Sequence, residues 1–243
     1  MTEIVKNNYL IAGIKTRIIA RKDWTIETQA RGYLCDFRGE PDIVVGVNDE
    51  FVDQMHAQYP HLTPADCEYM MTGEGFCRSL LDFDGFMLHA SAVVYKGKAY
   101  LFSAPSGTGK STHTELWLKA FGDDAYIIND DKPVIRLTEK GVVVYGTPWS
   151  GKTDKNRNAE APLQGICFIE RALDNKIEQI STADAVYRIL NQTIRPQGVA
   201  EMDNLLSVMD RVLKKTKVYK LGCDISLDAA RVAYAGMNGL EEK

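Results

Sequence analysis

The stretch Ala99–Lys132 reads AYLFSAPSGTGKSTHTELWLKAFGDDAYIINDDK. Tyr100–Phe102 is strand-like, a glycine loop follows, a helical pattern starts at Ser111, and a second apolar run, Tyr126–Ile128, ends in Asn129-Asp130-Asp131. Strand, loop, helix and strand in that order specify an α/β unit. Ala104–Ser111 follows a P-loop pattern of Ala or Gly, four residues, then Gly-Lys-Ser/Thr, with Ala104 in place of the more usual glycine. Gly107 and Gly109 permit a tight loop whose N–H groups turn inward. The helix that follows adds its positive N-terminal end. Such a loop suits phosphate oxygens, so Ser106, Gly107, Thr108, Gly109, Lys110, Ser111 and Thr112 are candidate nucleotide ligands. Lys110 reaches the β/γ-phosphates, and the Ser111 hydroxyl suits Mg²⁺.

Working outward, Asp130 and Asp131 close an apolar strand, the end at which ligands meet α/β sheets. Asp130 lies 20 residues after Lys110, which leaves room for one helix and one strand. One carboxylate can hold Mg²⁺, directly or through water, and the other can accept a proton from an attacking hydroxyl. Upstream, His89 sits in an apolar run, Met87–Val94, joined to the loop strand by the short turn Tyr95-Lys-Gly-Lys98. If the two strands pair, its imidazole faces the aspartates. Downstream, the polar stretch Gly146–Asn158 carries Lys152, Lys155 and Arg157. It can supply positive charge to equatorial phosphate oxygens or bind an anionic acceptor. Lys152, Arg157 and Asn158 are the candidate substrate ligands, and Trp149 is placed to close over a base or a substrate. His113 reads as packing or surface, and His56 and His61 as solvated side chains.

The rest of the chain frames this unit. Tyr9–Ala20 alternates at strand period, Tyr33–Phe37 and Asp42–Val47 read as strands, Phe51–Tyr59 as a helix, and Thr63-Pro64 as the start of another. Residues 1–85 thus form an α+β N-terminal region without obvious chemistry, and residues 86–243 a catalytic domain. Pro133–Leu137 and Val142–Tyr145 make a hairpin, Leu163–Glu170 a strand, and the remainder is mostly helical: Ala183–Ile194, Met202–Leu213 and Asp228–Met237 around a strand at Lys217–Leu221.

Composition narrows the function. With 45% hydrophobic and 26% charged residues among 243, the chain has the make-up of a soluble protein with a sizeable core. The net charge of −4 speaks against a dedicated nucleic-acid surface. No apolar run is long enough to span a membrane, and MTEIVKNNYL does not read as a signal peptide, so a cytoplasmic protein is expected. The 5 cysteines lack metal-site spacing and read as reduced thiols, mostly in the core. Homo-oligomerisation is left open.

Three pieces in order, His89 in Leu-His-Ala-Ser, Ser106–Ser111, and Asp130-Asp131 followed by Lys132, resemble P-loop kinases of the HPr kinase/phosphorylase type, whose core is shared with phosphoenolpyruvate carboxykinases. The similarity covers about residues 86 to 170. It implies a mixed sheet with flanking helices, ATP and Mg²⁺ as ligands, and transfer of the γ-phosphoryl group to a hydroxyl on a peptide, protein or small alcohol. It further implies Asp130 as base, Asp131 with Ser111 at the metal, His89 assisting the carboxylates, and Lys110 on phosphate. Thr112 stands where that family's loop usually continues with Glu, so the chain resembles the looser group of shorter, HPr-kinase-like proteins. Two other readings are a carboxykinase-type lyase, which would need a larger histidine, lysine and arginine set than the 4 histidines here suggest, and a non-catalytic ATP-binding regulator.

Overall fold

A computed structural model describes residues 2–240. In chain order the elements are β1 (Ile4–Ile11), β2 (Ile14–Arg21), α1 (Thr25–Gln29), β3 (Ile43–Gly46), α2 (Asp49–Gln58), α3 (Pro64–Ser79), β4 (Gly85–Met87), β5 (Ala90–Tyr95), β6 (Lys98–Ser103), α4 (Lys110–Phe121) and β7 (Ala125–Asn129). There follow β8 (Val134–Thr138), β9 (Gly141–Tyr145), β10 (Glu160–Arg171), β11 (Lys176–Gln179), α5 (Thr182–Leu190), α6 (Val199–Leu213), β12 (Lys217–Cys223) and α7 (Leu227–Asn238). They form a three-stranded sheet, β1-β2-β3, and a curled nine-stranded mixed sheet with helices on its faces.

β10 holds the large sheet together. Its first residues, Glu160–Pro162, pair antiparallel with β9, and from Gly165 onward it pairs in parallel with both β6 and β12. One wing therefore runs β10-β9-β8-β4, and the other runs β7-β5-β6-β10-β12-β11. The central strands are buried on both faces, and their side chains sort by parity. Ala92, Val94, Leu101, Ile166 and Phe168 pack with Ile189, Leu205 and Val208 of α5 and α6. Val93, Tyr100, Phe102 and Cys167 pack with Trp117 of α4 and Ala230 of α7 on the opposite face. Trp117 is fully buried among Tyr95, Tyr100, Phe102, Phe121 and Tyr234. This layer fixes α4, and through it the glycine loop.

Local chemistry explains the ends of several elements. Lys96-Gly97 joins β5 to β6 with positive φ at both residues (49° and 72°), a geometry that suits the twist of a hairpin. Thr63 caps α3 in a reciprocal capping box with Asp66, and Pro64 occupies the first turn. Ser226 caps α7 by accepting from the Ala229 N–H.

The structure departs from the sequence pattern in five places. The alternating run from Tyr9 is two strands folded back at Ala12-Gly13, not one. Tyr33–Phe37 is not a strand: Ala30–Tyr33 is a 3-10 turn that buries Tyr33, and Leu34 makes a lone bridge to Tyr9. The run Met87–Val94 breaks at Leu88-His89, because the backbone there leaves β8 for β6: Leu88 N–H donates to Pro133 O, and His89 N–H to Gln192 O. β11 lies between Glu170 and Ala183, where the sequence pattern assigns no element; its sequence, Lys-Ile-Glu-Gln, is a polar edge whose order comes from antiparallel pairing with β12. Finally, α5 stops at Leu190 rather than Ile194, and α6 begins at Val199 rather than Met202.

The core around the small sheet is not confined to residues 1–85: Tyr9, Ile11, Ile18, Ile26 and Phe76 cluster with Met87, Val134, Val143, Tyr145 and Trp149. Among the described residues no helix is long and apolar enough to cross a membrane. All five cysteines are unpaired, and Cys67, Cys77, Cys167 and Cys223 are buried.

Candidate functional site

The loop between β6 and α4 turns on Gly107 (φ 78°) and Gly109 (φ 122°), backbone that side chains rarely adopt. Lys110, the first residue of α4, folds back along the loop and donates from Nζ to Ala104 O at 2.9 Å and to Pro105 O at 3.5 Å. Its ammonium is buried, and that burial holds it below the ordinary lysine value against the opposing pull of Asp131. From outside, Arg171 at the end of β10 donates to Gly107 O at 2.7 Å and to Thr108 O at 3.3 Å, tying the loop to the sheet.

Across from the loop, β7 ends in Asn129-Asp130-Asp131. The Asn129 side chain is fully buried; its Oδ1 accepts from the N–H groups of Asp131 (2.9 Å) and Lys132 (2.7 Å), and its Nδ2 donates to Thr147 O (2.9 Å). This turn sets the direction of the two carboxylates. Asp130 accepts from Ser91 Oγ at 2.5 Å on one oxygen and from Thr153 Oγ1 at 3.0 Å on the other. Asp131 meets His89 Nε2 at 3.3 Å and Lys132 Nζ at 2.9 Å. The arrangement places His89 at the break between β4 and β5, just before the strand adjacent to the loop strand, with its ring toward Asp131.

His89 is neutral near pH 7. Burial first, then the charges of Lys132 and Lys110, push it down to about 4, outweighing Asp131. Its Nδ1 lies 3.0 Å from Gln192 Oε1, which follows α5 in the chain. A ring that donates from Nδ1 to Gln192 presents the Nε2 lone pair to Asp131, and a proton or cation then has to sit between them. A ring protonated at Nε2 donates to Asp131 instead.

The two sides enclose one cleft of about 350 Å³ lined by His89, Ser106, Gly107, Gly109, Lys110, Ser111, Thr112, Asp130, Asp131 and the segment Ser150–Thr153. Of the predicted site residues, Lys152 reaches this cleft, and Thr108 lines the opposite side of the loop. Arg157 and Asn158 do not line it: the Arg157 guanidinium stacks on Tyr126 of β7, 4.7 Å from the ring centroid. The backbone of Arg157 is held instead, its N–H on Ile128 O, and the chain passes so close to Gly146 that a Cβ there would stand 1.9 Å from Arg157 O. Trp149 does not close over the cleft either. It is buried, stacked on Phe76 at 4.9 Å, and seated against Gly73, where a Cβ would come within 2.9 Å of the indole. His113 is buried rather than exposed.

Several residues that order the site were not singled out by sequence. Ser91 and Thr153 bracket Asp130, Asn129 sets the turn, and Gln192 holds His89. A hydroxyl inside the apolar strand Ala90–Tyr95 was the available signal for Ser91, and an asparagine just before the paired aspartates was the signal for Asn129; Thr153 and Gln192 come from other segments of the chain. The N-terminal region contributes too: Tyr69 OH accepts from Gly151 N–H at 2.8 Å, and Gln29 Nε2 donates to Gly151 O at 3.0 Å. Those two bonds fix the segment that carries Lys152 and Thr153.

The cleft joins a buried cation and inward-facing loop on one wall to two carboxylates on the other. Such a site suits an anion on the loop side and a proton or hard cation on the carboxylate side. Ser111, Asp130 and Asp131 are oxygen donors of the kind Mg²⁺ takes alongside substrate phosphates. Comparison of the chain with protein-family models and with curated proteins finds no match.

Proposed function

We propose that this protein is an ATP- and Mg²⁺-dependent kinase that transfers a γ-phosphoryl group to a hydroxyl on a peptide, protein or small alcohol, on a mixed sheet of the HPr kinase and phosphoenolpyruvate carboxykinase kind. The observation that carries the reading is the single cleft in which Lys110 and Ser111 face Asp130, Asp131 and His89.

In this reading the glycine loop holds the β- and γ-phosphates through its N–H groups, and Lys110 leaves the carbonyls of Ala104 and Pro105 for phosphate oxygens. The acceptor oxygen bonds to the γ-phosphorus as the bond to the β,γ-bridging oxygen breaks, and ADP departs. Asp130 takes the hydroxyl proton: its oxygens accept from Ser91 and Thr153, and a carboxylate has lone pairs left for the acceptor. Asp131 and Ser111 would hold Mg²⁺, which when bound neutralises charge on the transferring phosphates. His89 orients Asp131, and Lys152 supplies a cation at the acceptor side.

The test is phosphoryl transfer from γ-labelled ATP into pools of peptides and metabolites. A labelled product that disappears in both Lys110→Ala and Asp130→Asn supports the reading; ATP binding without transfer to any acceptor would leave a regulator instead.

A further inference from the structure

The glycine loop separates two clefts of about 350 Å³ each, which share Gly107, Gly109 and Thr112. Asp130 lines one and Arg171 the other. The Arg171 backbone is fixed by the sheet: it ends β10 opposite Cys223 of β12, and the next N–H, of Ala172, donates to Cys223 O. Its guanidinium grips the loop along one edge. Nη2 donates to Gly107 O at 2.7 Å and Nε to Thr108 O at 3.3 Å, two successive carbonyls. The neighbouring carboxylates do not compete for it, because Glu170 pairs with Arg188 at 3.0 Å and Asp224 accepts from Ser226.

This grip has a consequence for the opposite side of the loop. In a trans peptide the carbonyl of one residue and the N–H of the next point in opposite directions, and no peptide among the described residues is cis. Drawing Gly107 O and Thr108 O toward Arg171 therefore turns the N–H groups of Thr108 and Gly109 away from it. Thr108 N–H meets Pro105 O at 3.3 Å, inside the loop, and Gly109 N–H has no acceptor among the described residues. The loop's own backbone holds these planes weakly. Gly107 and Gly109 flank Thr108 at φ 78° and 122°, and glycine lets an adjoining peptide turn over at little cost. A peptide turned over here would present a carbonyl oxygen where an anion needs a donor.

We infer that Arg171 is a positioning residue for anion binding: its two-pronged grip keeps the peptides 107–108 and 108–109 oriented with N–H toward the Lys110 side, and it does not itself touch the anion. This role rests on the phosphate reading of the loop proposed above and adds the group that aligns the loop's donors before a ligand arrives. The fork is what matters. Lysine carries the same charge, but its compact head lacks the rigid pair of donors that spans two carbonyls.

The experiment combines calorimetry, with Mg²⁺ and inorganic tripolyphosphate, and backbone amide relaxation by NMR at Gly107, Thr108 and Gly109. It is run on the parent, Arg171→Lys and Arg171→Ala. Arg171 is exposed at a strand end, so both variants should keep the parental unfolding midpoint. Both should bind tripolyphosphate about tenfold more weakly. Without ligand, the order parameters of the three amides should fall from about 0.85 to below about 0.6. Parental affinity in Arg171→Lys overturns the grip on two carbonyls, since charge alone would then suffice. Weaker binding with parental order parameters makes Arg171 a direct ligand contact and overturns the positioning role. Each of these outcomes leaves the phosphate reading of the loop standing. Failure of the parent to bind tripolyphosphate overturns that reading and the role of Arg171 with it.

Discussion

The Ser91 hydroxyl donates to Asp130 Oδ1 at 2.5 Å and lies 2.7 Å from Thr114 Oγ1, so β5, β7 and α4 meet at one carboxylate. Thr114 is on the same helix as Lys110, four residues on. The position of the carboxylate relative to the lysine is thus set by packed, buried elements and not by a surface loop.

Asp130→Asn is nearly isosteric and retains an oxygen for Ser91. Turnover on an identified acceptor should fall by roughly 10²–10⁴-fold, the usual contribution of a general base, while ATP affinity stays within about threefold of the parent. Steady-state kinetics paired with calorimetry measures both, and near-parental turnover would remove Asp130 from the base role. Asp131→Asn should instead raise the Mg²⁺ concentration that gives half-maximal rate.

Lys110→Met keeps the length of the side chain and removes its charge. ATP affinity should drop by about a hundredfold, because a charge-assisted contact to phosphate is lost inside a buried site. Equal affinity in parent and variant would show that this loop does not hold phosphate.

Tyr69→Phe removes the acceptor for Gly151 N–H and leaves the ring. The expected loss of stability is about 1 kcal/mol by denaturant unfolding. Turnover should fall more than ATP affinity does, since the freed segment carries Lys152 and Thr153 and not the glycine loop proposed to hold the phosphates. A parallel fall in both would place the effect on nucleotide binding instead.

Stability should decrease on acidification. His113 is buried, its Nε2 accepts from Trp117 Nε1–H at 3.2 Å, and burial pushes it down to about 4. Between its unfolded value near 6.5 and about 4 the unfolded chain takes up a proton that the folded chain refuses, so this contribution is present above about pH 6.5 and is lost as pH falls. For His113 alone the loss between pH 7 and pH 5 is about 2 kcal/mol. His89, lowered for the related reasons of burial and nearby lysines, acts in the same direction. Denaturant unfolding at both pH values should show a smaller drop in His113→Leu, whatever its baseline; an identical drop would show that His113 is not held neutral.

Much of the α/β unit was legible before folding. Tyr100–Phe102, Gly107, Gly109 and the run into Asn129-Asp130-Asp131 are local signals: strand period, backbone freedom and helix start act between neighbours in the chain, and the structure keeps them in that order. The hairpin at Lys96-Gly97 and the cap at Thr63 belong to the same class, because a turn or a capping box is complete within four residues.

What lay beyond that reach depends on distant partners. Nothing local marks Gln192 as the group opposite His89, 103 residues away, or Tyr69 as the anchor of Gly151, 82 residues away. Arg157 and Trp149 looked suited to a ligand by residue type. Arg157 was claimed by Tyr126 and Trp149 by Phe76, and Gly146 and Gly73 let backbone and indole approach where a side chain would not fit. Residue type and short spacing therefore specified the glycine loop between β6 and α4 and the acidic turn opposite it. Which side chains surround those carboxylates, and how the loop comes to separate two clefts, follow from the packing of β5, β10, β12 and α4 into one sheet layer, an outcome of long-range burial that no short window of residues encodes.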